Sequence, residues 1–177
     1  MNGRIIGVAL GLVLGIILCL VVFVTANKNG KIKTEYDERQ NEIRGKGFKY
    51  AFFTALVMLG IFACLDVTEI YLPISQATIY MFIVAASVGV DAVYNILNDG
   101  YWGLNNDKKK YEIFMAIIGL FNLGWSLFMY VDGRLIVDGV LSFAAINLIC
   151  GILFLVLFVA MFIKSFSSKD DEGEDMV

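Results

Sequence analysis

The 177-residue chain has no histidine, a single proline and little charge, 18% against 59% hydrophobic residues. Without histidine there is no Ser-His-Asp triad, no His-ligated metal and no imidazole switch near neutral pH. Pro73 is the only proline, so helix breakers are scarce, and it falls between two apolar stretches where a turn is needed. A soluble domain carries about 25% charged and about 45–50% apolar residues, so the charge deficit excludes that class. Cysteine is sparse too. Cys19, Cys64 and Cys150 each lie in an apolar stretch with no zinc spacing. They read as inert small hydrophobes, with no disulfide, metal or other cofactor expected.

Catalytic signatures are missing as well. There is no Gly-x-Ser-x-Gly elbow, P-loop or dinucleotide fingerprint. An intramembrane aspartyl protease needs two carboxylates at one site, and only Asp91 lies well inside an apolar run. Gly89-Val90-Asp91 also lacks the first glycine of a Gly-x-Gly-Asp motif. A non-enzymatic protein is expected.

What is present is hydrocarbon-compatible sequence, with a mean hydropathy of +0.75. A spanning helix needs about 20 largely apolar residues. Five stretches qualify or nearly so: residues 5–26, 50–67, 77–97, 112–131 and 141–163. The expected fold class is all-α, an integral membrane bundle of five transmembrane helices with the lipid bilayer as its first partner. Lys28, Lys31, Lys33, Arg39, Arg44, Lys46 and Lys49 precede the second stretch. Lys108, Lys109 and Lys110 follow the third, and Lys164 and Lys169 follow the fifth. Placing these inside puts twelve of the fourteen bases in the cytoplasm, with only Arg4 and Arg134 outside. The topology is N-terminus out and C-terminus in. The rival reading is a cleaved signal peptide ending at Val24-Thr25-Ala26, but the apolar run exceeds the usual core of about 7–15 residues.

Spans two to five read as two hairpins (within segments 50–98 and 112–164), each entered through a basic, aromatic edge. Lys46-Gly47-Phe48-Lys49-Tyr50 opens one, and Lys108-Lys109-Lys110-Tyr111 opens the other from the loop 99–111. Interface chemistry explains this edge as well as duplication does. In the first helix, 1–27, Gly3, Gly7, Gly11 and Gly15 recur every fourth residue, forming a glycine zipper that lets another backbone approach closely. That face serves either its own bundle, where Ala85, Ala86 and Gly89 offer a partner, or a homo-oligomer.

Ionisable groups in hydrocarbon are costly, so each asks for a reason. Asp91 shares a helical stripe with Ser87, Asn95 and Asn98, while Asn122 and Ser126 lie four apart on the fourth span and Asn147 is on the fifth. Stacked by depth, Asp91, Ser87, Asn95, Asn122, Ser126 and Asn147 could line one polar path for a proton or cation. The bland alternative, favoured on cost, is that they are interhelical glue.

The segment 28–49 is basic and amphipathic. Thr34 is the expected N-cap of a short helix, with Gly45 and Gly47 loosening its join to the second span. Asp37-Glu38-Arg39-Gln40, followed by Ile43, glycines and an aromatic span, resembles uncharacterised small multi-pass membrane proteins of Gram-positive bacteria. The resemblance covers about residues 34–65. It implies a bacterial plasma membrane, and a membrane-bound partner of a cytoplasmic regulatory protein would fit it. The residues themselves read either as a solvated helix whose basic end rests on anionic headgroups, the reading favoured on charge, or as a docking helix for such a protein through Asp37, Glu38, Arg39 and Gln40. The tail 165–177, with five of the seventeen acids, is expected to be disordered. The bases are too few and too close to the membrane for nucleic acid. Two functions follow. The first is a scaffold or regulator working through 34–49, and the second a small proton or cation transporter or channel using Asp91.

Overall fold

The computed structural model describes residues 10, 13–18, 20, 21, 24, 36–103 and 108–174, with side chains to Phe166. The chain forms two units, Met1–Glu35 and Tyr36–Val177. In the first, the described residues are helical and exposed. Gly3, Gly7 and Gly11 lie outside the described residues, and a Cβ added at Gly15 would meet open space.

The second unit is mostly helical. Its elements are α1 (Glu38–Val67), α2 (Gln76–Leu97), α3 (Lys108–Val131), strands β1 (Ile136–Val137) and β2 (Val140–Leu141), a 3-10 turn (Phe143–Ala145) and α4 (Ile146–Glu174). Among the described residues, four helices are long and apolar enough to cross a membrane. α1 has 30 residues, about 45 Å at 1.5 Å per residue, and so exceeds a hydrocarbon core of about 30 Å.

Consecutive helices pack as antiparallel hairpins, α1 on α2 and α3 on α4, and the hairpins meet where α2 packs on α4. α2 and α4 therefore form the middle of the bundle. Glycine sets these approaches. A Cβ at Gly89 would lie 2.9 Å from Leu153, one at Gly119 2.9 Å from Leu155, and one at Gly151 2.7 Å from Leu123. Gly89 is thus occupied by α4. The core gathers Ala92, Ile96, Trp102, Met115, Leu157, Ala160 and Met161.

One end of the unit carries Arg39, Arg44, Lys46, Lys49, Lys108, Lys109, Lys110 and Lys164, and is called the basic end. At the other, Asp138 and Gly139 turn the β-hairpin with φ of 52° and 76°, the pair of positive values that a tight hairpin turn needs. Here Ser75 caps α2, Ile74 pairs with Leu141, and the buried Thr78 hydroxyl donates to the Ser142 carbonyl at 2.9 Å.

Three local expectations change. The N-cap is Asp37, not Thr34, because Asp37 and Gln40 close a reciprocal capping box; Thr34 lies outside the described residues. Gly45 and Gly47 do not loosen α1, which runs unbroken through both. α4 continues as helix to Glu174, through most of the segment expected to be disordered. Extending a packed helix needs no new nucleus, so polar residues follow it at small cost.

Candidate functional site

The densest polar structure lies at the basic end, and α1 begins it. The Asp37 carboxylate accepts from the Gln40 backbone N–H at 2.6 Å, and the Gln40 side-chain oxygen accepts from the Asp37 N–H at 3.2 Å. Two helix-start donors are thereby satisfied reciprocally. The same Gln40 amide donates from Nε2 to the carbonyls of Asp99, at 3.0 Å, and Trp102, at 2.9 Å. Asp99 holds a left-handed φ of 63°, which aspartate tolerates better than most residues. One buried side chain thus clasps the first turn of α1 to the loop leaving α2. At about 1 kcal/mol per hydrogen bond plus about 1 for the cap, the clasp contributes roughly 2–3 kcal/mol.

One turn further on, the helices nearly touch. A Cβ on Gly100 would fall 2.6 Å from Ile43, and one on Gly47 would fall 2.5 Å from the Asp91 carboxylate and 2.7 Å from the Asn95 amide nitrogen. Glycine at both positions leaves room for a polar pair. Asn95 Nδ2 donates to Asp91 Oδ1 at 2.8 Å, and the Asn95 backbone carbonyl receives Gly100 and Tyr101. Asn95 is 5% exposed, and its Oδ1 is buried without a hydrogen-bond partner among the described residues. That oxygen rests 3.1 Å from where Cβ atoms of Gly47 and Gly100 would stand, a position suited to weak Cα–H contacts. Tyr50 of α1 meets Tyr94 of α2 edge-on at 4.9 Å.

Charge surrounds this pair. The Arg44 guanidinium stacks 4.0 Å over the Tyr36 ring and acts electrostatically on Asp91. Lys164 of α4 reaches Asp99 at 2.8 Å, so the last helix joins the same knot. Burial pushes the Tyr101 phenol above its ordinary range and keeps it neutral beside Trp102, its edge-on neighbour at 4.7 Å.

The opposite face of the α1 start is open. Glu38, Arg39, Asn41, Glu42, Lys46 and Lys49 are exposed, with Glu42 and Lys46 paired at 2.8 Å, one turn apart. The Asp-Glu-Arg-Gln stretch therefore divides. Asp37 and Gln40 are used within the chain, while Glu38 and Arg39 face outward.

The polar residues of the long apolar helices fall into separate groups. Ser87, Asp91 and Asn95 follow the α1–α2 seam, and the Ser87 hydroxyl bonds back to the Ile83 carbonyl at 2.8 Å. Ser126, 3% exposed, shares a face with Gly119 and Leu123 against α4. Asn122 bonds to the Ile118 carbonyl of its own helix at 2.9 Å, and Asn147 is half-buried near the start of α4. The structure brings Asp91 and Asn95 together and leaves Asn122, Ser126 and Asn147 apart from them. Among the described residues no three His, Cys, Asp or Glu side chains gather as a metal site.

Gly47, Gly100, Arg44, Asp99 and Lys164 belong to this site and were not singled out as site residues from the sequence. A signal existed for one part, since Asp37 and Gln40 have capping-box spacing. No protein-family model, curated protein or solved structure matches the chain.

Proposed function

We infer that the protein is a non-enzymatic scaffold or regulator of a bacterial plasma membrane that binds a cytoplasmic protein through the exposed face of the α1 start. In this reading the N-terminal segment supplies a fifth span and the basic end faces the cytoplasm, giving an N-out, C-in topology. The observation that carries it is the pinned extension. α1 continues as helix from Tyr50 back to Glu38, is clasped by Gln40 on one side, and presents Glu38, Arg39, Glu42 and Lys46 on the other. A preformed helix face loses little conformational entropy on binding, so such a surface suits recognition.

Crosslinking in native membranes with short amine- and carboxylate-reactive reagents tests the reading. A cytoplasmic protein attached in stoichiometric amount at Lys46 or Lys49, lost on combining Glu38→Lys with Arg39→Glu and kept in Asp91→Asn, is expected. Attachment unchanged by the charge reversals, or attachment only to the protein itself, overturns it.

A second reading, a small proton or cation transporter, draws on the half-buried Asp91, its bond to the buried Asn95 and the Asn95 amide oxygen that has no partner among the described residues. It requires that pH-driven flux in liposomes be present in the wild type and absent in Asp91→Asn.

A further inference from the structure

At the basic end α1 comes so close to α2 and the loop leaving it that neither Gly47 nor Gly100 has room for a Cβ. The buried residues of α1 are Gln40, Ile43 and Gly47, and none of its most apolar stretch is buried. Toward the hairpin end the seam opens into two adjoining cavities. One, about 350 Å³, is bounded by Ala55, Val84 and Ser87. The other, about 340 Å³, shares Leu59, Tyr80 and Ile83 with it and reaches the loop between the helices. Phe62 and Ile79 wall this cavity, and Asp66, Tyr71 and Gln76 stand at its mouth.

Asp66 is the one charged side chain lining either cavity among the described residues. Its carboxylate carries no hydrogen bond or ion pair among them. It sits at the carbonyl end of α1, where no base occupies the last turn, so the helix dipole adds to its negative potential. Glu69, Asp132 and Asp138 share this end of the unit, and the single described base there, Arg134, is held by Asp132 at 2.6 Å. An open, largely apolar crevice with an unpaired carboxylate in its lining favours positive charge on an apolar body. Phe62, Tyr71 and Tyr80 add ring faces for a cation.

We propose that the α1–α2 crevice is a binding site for a small hydrophobic monocation, its apolar body between Phe62, Ile79 and Ile83 and its charge beside Asp66. A neutral lipid tail gains nothing from Asp66, and an organic anion is repelled by it. The site goes beyond the docking role and stands or fails independently of it.

The test uses the full chain in nanodiscs of zwitterionic lipid, with empty nanodiscs to subtract partitioning. Tetraphenylphosphonium is the probe and tetraphenylborate its anionic counterpart of the same shape. Saturable binding of the cation alone is expected, weakened about tenfold or more by Asp66→Asn and abolished by Ala63→Trp, which fills the cavity from α1. Both changes are at exposed positions, and circular dichroism checks that helix content is kept. No saturable component, equal binding of both ions, or cation binding that survives both substitutions overturns the site. Loss with Asp66→Asn but not with Ala63→Trp also overturns it, because the ion then rests on surface charge outside the cavity.

Discussion

Replacing Gly47 with alanine should destabilise the protein, although alanine is the better helix former. In an open helix position the change gains up to about 1 kcal/mol. Gly45, two residues earlier on the same helix, is such a position, with nothing within 4 Å of an added Cβ. At Gly47 the new methyl would meet Asp91 at 2.5 Å and Asn95 at 2.7 Å. It must separate the helices or break the Asp91–Asn95 bond, and overpacking of this kind costs about 1–3 kcal/mol. The net expectation is a loss of roughly 1–2 kcal/mol for Gly47→Ala and a gain for Gly45→Ala. Reversible unfolding in mixed micelles, followed by circular dichroism, measures both. If the two substitutions stabilise equally, the close approach of α1 and α2 at Gly47 is wrong.

Gln40→Ala removes the clasp and half of the capping box, and unfolding titrations should show a loss of roughly 2–3 kcal/mol. Gln40→Glu should recover little, because its carboxylate cannot donate to the Asp99 and Trp102 carbonyls. Asp99→Asn weakens the partly exposed Lys164 contact, with an expected cost of about 1 kcal/mol or less that shrinks as salt is added. The Tyr101 phenol is raised in the folded state, so the native chain binds that proton more tightly than the unfolded chain. Stability should therefore fall as pH rises above about 10, and Tyr101→Phe should flatten that limb of the unfolding profile.

Much of the architecture was legible as hydropathy. The helices expected to end at Val67, Leu97 and Val131 do so, since a change from apolar to polar sequence is also where these helices stop. Their starts were less legible. α1 begins at Glu38 and α3 at Lys108, ahead of residues 50 and 112, because charged residues can continue a helix that an apolar stretch stabilises. The last span differs at both ends. Phe143–Ala145 forms a 3-10 turn before α4, which then runs past residue 163. The β-hairpin was not foreseen, although Asp138-Gly139 between apolar pairs carries its turn signal.

The candidate site was legible only in pieces. Asp91 and Asn95 stand out as polar residues at helical spacing, but their neighbour Gly47 comes from another helix, and nothing local points to it. The Gln40 contacts span 59 and 62 residues of sequence, so the stretch containing Gln40 reads as a surface motif. The polar groups of α3 and α4 align with Asp91 only when depth is considered without helix order.

A docking face on the α1 start requires that this segment be a fixed helix held by Gln40. Hydrogen–deuterium exchange of the full chain in nanodiscs, read by mass spectrometry over residues 41–49, measures this directly. Slow exchange in the wild type, clearly faster in Gln40→Ala, is the predicted result. Exchange in the wild type as fast as in an unstructured peptide would contradict the account, because no preformed docking face would then exist.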